Sequence, residues 1–234
     1  MKKIAIIGAG KMGTALAAAL KKKFSVQLID RNSKMKDCDI VILAVKPQDF
    51  DSLQITLKNE LLISIMAGVS LKKLGEKTGA KKIVRSMPNL ALRAGAGFTG
   101  WICKNVKEKK LVREIFSIFG EEIEVKKEED LNAITALSGS GPAYFFHICE
   151  LMAESAADFG FAQKDAEKIA ANTLIGAAAL CKNKSESFAE LRKTVTSKGG
   201  TTEAALNDFA KNNLSKIFKD GVKKARARSK ELNK

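Results

Sequence analysis

Lys3-Ile4-Ala5-Ile6-Ile7-Gly8-Ala9-Gly10-Lys11-Met12-Gly13 is the stretch on which the reading of this chain turns. Ile4–Ile7 is a short, unbroken apolar run of the kind found in a strand buried on both faces. Glycines follow at once with the spacing GxGxxG, and Thr14–Lys23 then carries Leu16 and Leu20 at helical spacing. Alone, three glycines say little. Between a strand and a helix each has a physical role. Gly8 permits the tight turn, Gly10 lets a pyrophosphate approach the backbone, and Gly13 lets helix and strand pack closely. Gly8, Ala9, Gly10, Lys11, Met12 and Gly13 are therefore the first candidate site, for a dinucleotide.

A second strand, Val26–Ile29, ends at Asp30-Arg31-Asn32-Ser33, with Asp30 standing 17 residues after Gly13. An acid there accepts hydrogen bonds from the adenosine ribose, which favours NADH. Arg31, with Asn32 and Ser33 beside it, would instead suit the 2′-phosphate of NADPH, and both cofactors stay open. The next strand, Asp39–Val45, begins only nine residues after Asp30. A crossover to the far side of the first strand must cover roughly 20 Å. A helix of that length spans only about 13 Å, whereas an extended chain reaches about 30 Å. The spacing predicts an irregular, extended link and no third strand on that edge.

Ala44-Val45-Lys46-Pro47 closes this strand at its carboxyl end, where open α/β sheets place ligands, and the short Ala44 and Val45 leave room for a flat ring. Further on, the pattern predicts a helix over about Asp49–Lys58 and a strand over Leu61–Met66. Ser70 caps a short helix, and strand Lys82–Arg85 runs into Ser86-Met87-Pro88-Asn89. Strand Phe98–Cys103, amphipathic helix Val106–Phe119 and a short strand Ile123–Val125 complete the region. The charged stretch Lys126–Asp130 marks a boundary, giving domains over 1–126 and 127–234. Beyond it the pattern is helical: a long helix between Leu131 and Phe159, broken by Ser138-Gly139-Ser140-Gly141-Pro142, then Ala166–Leu180, Phe188–Val195, Glu203–Ala210 and Leu214–Glu231. Their apolar faces make poor cores alone, and a helical dimer would bury them.

Thr194-Val195-Thr196-Ser197-Lys198-Gly199-Gly200-Thr201-Thr202 is the second candidate site. Two glycines let backbone N–H groups turn toward one point, and the following helix aims its positive end there. With the hydroxyls of Ser197, Thr201 and Thr202, the loop suits the carboxylate of a small polar molecule.

Composition narrows the classes. The chain has 234 residues, 45% apolar, with no run long enough for a bilayer span and no signal-peptide core, which reads as cytoplasmic. Cys38, Cys103, Cys149 and Cys181 are dispersed and His147 is the single histidine, so neither a metal centre nor a disulfide framework is expected. The net charge of +15 raises nucleic acid as a partner. Interspersed acids and a single Trp and Tyr argue against it, and a field attracting small anions accounts for the charge equally well.

Gly8–Gly13, Ala44–Pro47, Met87-Pro88-Asn89, Ala136-Leu137-Ser138-Gly139-Ser140-Gly141-Pro142-Ala143-Tyr144 and Thr196–Thr202 together resemble the pyrroline-5-carboxylate reductases over nearly the whole chain. The resemblance implies an α/β fold: an N-terminal Rossmann-like, doubly wound, mostly parallel sheet followed by an all-α dimerisation domain. It implies NADPH or NADH as hydride donor and a homodimer, or larger homo-oligomer, with the substrate site at the subunit interface. By position, Gly8–Gly13 would hold the pyrophosphate, and Ala44, Val45, Lys46 and Pro47 would border the nicotinamide with Asn89 near the same rim. Ser197, Gly199, Gly200 and Thr201 would grip the carboxylate of 1-pyrroline-5-carboxylate, and Thr202 would hydrogen-bond the ring nitrogen as the catalytic residue. The chain differs from the family in carrying Lys198 where proline is usual, Leu90-Ala91 where Thr-Pro is usual, and only residues 31–39 where a helix and strand are usual. Two rival readings follow: a reductase of the same build acting on another imine or hydroxy acid, and a non-catalytic cofactor sensor. His147, beside Phe145 and Phe146, is read as a packing residue at the subunit contact.

Overall fold

The computed structural model describes residues 1–30, 33–183 and 186–232. Its strands are β1 (Lys3–Ile7), β2 (Ser25–Ile29), β3 (Ile40–Leu43), β4 (Leu61–Ser64), β5 (Lys82–Pro88), β6 (Gly97–Lys104) and β7 (Gly120–Glu124). Among the described residues these seven form one sheet in the order β2-β1-β3-β4-β5-β6-β7. β1 to β5 are parallel, β6 runs antiparallel to β5, and β7 is parallel to β6. Because β1 lies between β2 and β3, the chain leaves it first to one side and then to the other. That reversal opens a crevice at the carboxyl ends of β1 and β3.

The strands are apolar because they are covered on both faces. Ile4, Ile6, Ile40, Ile42 and Ile63 point to one side, where they meet Leu16 and Leu20 of α1 (Lys11–Leu20) and Val112 and Ile115 of α3 (Lys109–Ser117). The alternate residues Ala5, Val41, Leu43 and Leu62 point to the other, against Phe50, Leu57 and Leu74, the last from α2 (Leu71–Thr78). Each fully buried Leu or Ile contributes about 1.5–3 kcal/mol. Helix α2 is bounded as its sequence demands. Ser70 Oγ accepts from the Lys73 N–H at 3.1 Å, and Gly79 ends the helix in the left-handed region at φ +70°.

The link between β2 and β3 carries no helix over its described residues 33–39, and β2 is the sheet edge, as the nine-residue spacing requires. The helix expected over Asp49–Lys58 does not form. A single 3-10 turn, Pro47–Asp49, gives way to irregular chain until β4. Leu53, Ile55 and Leu57 repeat with period two, so an extended segment turns all three toward the core where a helix would splay them. The Leu57 N–H donates to Thr78 O at 2.7 Å, and the Lys58 and Asn59 N–H groups to the Glu60 carboxylate at 2.7 and 2.9 Å. Those bonds satisfy backbone groups that would otherwise favour a helix.

From residue 131 the described chain is helical: α4 (Leu131–Ile134), a π-helical turn Thr135–Gly139, α5 (Gly141–Asp158), α6 (Gln163–Leu180), α7 (Phe188–Thr194), α8 (Thr201–Lys211) and α9 (Leu214–Glu231). The break expected at Ser138–Pro142 is thus a π-turn, with the Ser140 N–H reaching back to Thr135 O at 2.8 Å. Two compact units emerge, one of Met1–Pro142 with Val222–Lys234 and one of Ala143–Gly221. In the first, Ser229 Oγ of α9 donates to Asn132 Oδ1 of α4 at 2.9 Å. The core of the second is small, built on Ala153, Ala156, Ala166 and Ala170. Phe145, Phe146, Phe159 and Phe188 are all exposed, the last two by 81% and 80%.

Candidate functional site

The glycine turn is built as the spacing requires. Gly8 takes φ +114°, and a Cβ there would stand 2.6 Å from Ala44 O. A Cβ on Gly13 would stand 1.8 Å from Gly8 O, so only glycine lets α1 lie against β1. A Cβ on Gly10 would meet no atom within 4 Å, since that position faces open space. The turn is tied to both flanking strands: the Gly8 N–H donates to Ile29 O at 2.9 Å, and the Ala44 N–H to Ile7 O at 2.8 Å. Helix α1 starts from Gly10 with no side-chain cap, leaving its first-turn N–H groups for an anion. These features fit a dinucleotide pyrophosphate.

In front of the turn lies a cavity of about 1140 Å³ within the first unit. Gly8, Ala9, Gly10, Asp30, Ala44, Val45 and Lys46 line it, so half of the cofactor residues read from the sequence converge here. Lys11, Met12 and Gly13 do not line it; Gly13 is buried beneath the turn and Met12 packs toward the core. Arg31 and Asn32 lie outside the described residues. Ser33 Oγ donates to Asp30 Oδ1 at 2.6 Å, which orients one carboxylate oxygen at the end of β2. The sequence reading missed Lys34, Met35 and the wall formed by Ser52–Thr56. The alternation at Leu53, Ile55 and Leu57 was the signal that could have revealed that wall.

Pro47 opens the 3-10 turn and lines a different depression, beside Ser70. Asn89 also sits off the cavity, with both ends of its amide engaged. Nδ2 donates to Ser138 Oγ at 3.1 Å, and Oδ1 accepts from the Phe98 N–H at 3.2 Å. It thereby ties the end of β5 to the π-turn. His147 is exposed, with Nδ1 3.1 Å from Glu150 Oε2.

In the second unit, the stretch 194–203 forms a turn and a helix start. The Gly200 N–H donates to Ser197 O at 3.0 Å, and Gly199 takes φ +73°. Lys198 is not among the positive-φ residues, so Ser197–Gly200 has the type II pattern, which requires glycine at its third position. A Cβ on Gly200 would stand 2.5 Å from Ser197 Oγ, so the serine hydroxyl is seated against the turn. The Gly199 N–H donates to Glu203 Oε2 at 2.7 Å. The turn thus uses the N–H groups of both glycines internally. The first intrahelical bond of α8 runs from the Ala204 N–H to Gly200 O at 3.1 Å, and no side chain caps the helix. The N–H groups of Thr201 and Thr202 precede that bond and can receive an anion, with the threonine hydroxyls beside them.

Comparison with known proteins bears on both sites. Residues 128–232 match the family described as pyrroline-5-carboxylate reductase dimerisation, and residues 17–68 the family described as NADP oxidoreductase coenzyme F420-dependent. The pyrroline-5-carboxylate reductase of Staphylococcus haemolyticus is 35% identical over 214 residues, covering 88% of this chain and 79% of that protein. The chain belongs to the pyrroline-5-carboxylate reductase family. Among solved structures, the family member from Coxiella burnetii superposes with a TM-score of 0.89 at 31% identity, covering 100% of this chain and 99% of that one. The Plasmodium falciparum pyrroline carboxylate reductase, solved with NADP bound, gives 0.83 at 28% identity, covering 100% and 98%. The dinucleotide fingerprint and the 197–202 turn lie in different compact units of this chain.

Proposed function

We propose that the chain reduces the C=N bond of 1-pyrroline-5-carboxylate to give L-proline, with NADPH or NADH as reductant. The observation that carries this reading is the 197–202 turn: a type II turn placing the free N–H groups and hydroxyls of a helix start where they can hold a small carboxylate. Family membership narrows which small acid that is. When bound, the reduced nicotinamide supplies the hydride.

The protein's own part is binding and orientation. Gly8, Ala9 and Gly10, with the first turn of α1, hold the pyrophosphate through backbone N–H groups, and Gly13 keeps helix and strand close enough to form that turn. Asp30 faces the ribose, with Arg31 and Asn32 as the proposed 2′-phosphate contacts. Ala44, Val45 and Lys46 border the nicotinamide. Pro47 opens the 3-10 turn that follows that border, and Asn89 ties the end of β5 to the π-turn.

In the helical unit, Ser197 and Thr201 take the substrate carboxylate, while Gly199 and Gly200 give the turn its shape. The ring nitrogen takes its proton from solvent, with Thr202, or a water that Thr202 holds, as the hydrogen-bonding donor beside it. Fixing the acid group decides which carbon faces the reductant, an orientation effect worth several kcal/mol in favourable cases, roughly up to 7–11. The substrate is already an imine, so no lysine Schiff base is required.

We place the boundary between the cofactor and helical domains at residues 126/127, a reading supported by the dimerisation match beginning at residue 128. Exposed phenylalanines at 145, 146, 159 and 188 support assembly into a homodimer or larger homo-oligomer through the helical domain. Among the described residues no helix is long and apolar enough to cross a membrane. The dispersed, unpaired cysteines support a reducing, cytoplasmic setting.

The test is reduced-cofactor oxidation followed by absorbance, with and without pyrroline-5-carboxylate, run separately with NADPH and NADH. Substrate-dependent oxidation with formation of proline is expected. Turnover only with other imines or with hydroxy acids would establish the rival reductase reading, and cofactor binding without turnover the sensor reading.

A further inference from the structure

The reductase reading leaves one residue of the acid-binding turn without a role. Position 198 is the second residue of a type II turn, where proline is favoured because its ring fixes φ near the value the turn needs. This chain has Lys198 there, whose backbone carries no such restraint. The third residue, Gly199, is held at φ +73°, and glycine has the most conformational freedom to lose. Something else must keep Ser197–Gly200 in one conformation. Glu203 reaches back from the first turn of α8 and accepts the Gly199 N–H at 2.7 Å, linking the left-handed residue to the helix. Its charged oxygen makes this stronger than a neutral bond of the same kind.

We propose that Glu203 is a positioning residue for the substrate carboxylate, holding by a side-chain hydrogen bond the turn conformation that a proline at position 198 would hold covalently. This rests on the reductase reading above. Glu203 does not touch substrate in this account. It fixes Gly199 so that Ser197 Oγ and the N–H groups of Thr201 and Thr202 stand ready as a set. Its effect therefore falls on substrate binding and leaves the chemical step nearly untouched.

Each substitution removes a different part of this restraint. Gln at 203 keeps an acceptor oxygen and loses the charge, whereas Ala loses both. Proline at 198 supplies the missing restraint by another route. The experiment measures kcat and the KM for pyrroline-5-carboxylate at saturating reduced cofactor, together with calorimetric binding of L-proline. The variants are Glu203→Gln, Glu203→Ala, Lys198→Pro and the Lys198→Pro/Glu203→Ala double variant.

Glu203→Ala is expected to raise KM and weaken proline binding about fivefold, with kcat within about twofold of the parent. Glu203→Gln should stay within about twofold in KM, and Lys198→Pro in the Ala background should bring KM back to within about twofold of the parent. A KM that falls in both Gln and Ala variants would mean that Glu203 competes with the substrate's acid group, and would overturn the proposal. So would an unchanged KM in Glu203→Ala, an equal rise in Gln and Ala, or failure of proline to rescue. A parent chain that does not turn over pyrroline-5-carboxylate overturns the reductase reading and this role with it; a parent that turns over while Glu203→Ala matches it overturns this role alone.

Discussion

Replacing Glu128 with alanine should destabilise the sheet-containing unit by about 3 kcal/mol, although the residue lies in the charged stretch that the sequence marks as a linker. One oxygen of its carboxylate, Oε1, accepts from Arg85 Nη1 at 2.7 Å and from the Leu71 N–H at 2.8 Å. Arg85 is on β5 with only 8% of its side chain exposed, and Glu128 keeps 32%. Removing one partner of a buried ion pair costs about 3–5 kcal/mol. Partial exposure of Glu128 and the other interactions of Arg85 lower this to about 2–3 kcal/mol. Loss of an acid at the start of α2 adds about 0.3–1 kcal/mol. The assay is urea unfolding followed by fluorescence of Trp101, the single tryptophan, which is fully buried in β6. With a slope near 2 kcal/mol per molar urea, the midpoint should fall by about 1.5 M. Glu129→Ala, one residue along and exposed, serves as the control and should shift stability by less than about 0.5 kcal/mol. Equal midpoints for the two variants would refute the reasoning and return Glu128 to the class of solvated linker charges.

Gly13→Ala and Gly10→Ala should separate folding from cofactor binding. The first puts a Cβ 1.8 Å from Gly8 O and should unfold the unit or abolish expression, whereas the second meets no atom within 4 Å and should fold normally. Gly10→Ala should still bind NADPH at least tenfold more weakly by calorimetry, because its methyl occupies the pyrophosphate's approach, an effect of about 1.4 kcal/mol or more. Thr202→Ala should lower kcat/KM for pyrroline-5-carboxylate by roughly tenfold or more, as loss of one hydrogen bond to a charged group implies, with cofactor affinity unchanged. The Asp39 carboxylate is held below its ordinary value near 3.8 by hydrogen bonds from the Lys2 ammonium and the Lys3 N–H. A depressed folded-state value means that its contribution is complete above about pH 4 and fades as pH falls through that lowered value. Asp39→Asn should therefore lose stability at about pH 6 and progressively less as the pH is lowered below 3.8, which Trp101 unfolding midpoints across that range would show.

How much of this was legible follows from how local each signal is. The glycine turn could be read because each glycine answers to an immediate steric demand, at Gly8 from Ala44 O and at Gly13 from Gly8 O. The absence of a helix over the described residues 33–39 could be read because the crossover is a matter of reach. The wall at Ser52–Thr56 could not be read on propensity, since residues 49–58 look helical until the period-two burial of Leu53, Ile55 and Leu57 is weighed against β4 and α2. Asn89 is read as a rim residue from its position, whereas its bonds go to Ser138 and the Phe98 N–H, partners that no local pattern announces. The same holds for Glu128, whose partners Arg85 and Leu71 lie 43 and 57 residues away.

The two candidate binding turns share a physical device that sets them against the structural helix starts. Helices α2 and α7 begin at Ser70 and Ser187, whose hydroxyls accept N–H groups of their own first turns at 3.1 and 3.2 Å. Those donors are spent within the fold. Helices α1 and α8 begin at Gly10 and Gly200, which have no side chain to offer, and neither helix is capped. Missing caps alone do not mark a site, because α3 and α6 also start uncapped, from Glu108 and Ala162. Glycine at the cap adds access: it removes the Cβ that would stand between an incoming anion and the free N–H groups. Serine at Gly10 would supply an internal acceptor to α1 and compete with the pyrophosphate. At Gly200 its Cβ would meet Ser197 Oγ at 2.5 Å and disturb the turn before any capping could form. A glycine start costs only a few tenths of a kcal/mol relative to a serine cap, and an anion bound to the free N–H groups would offset that cost.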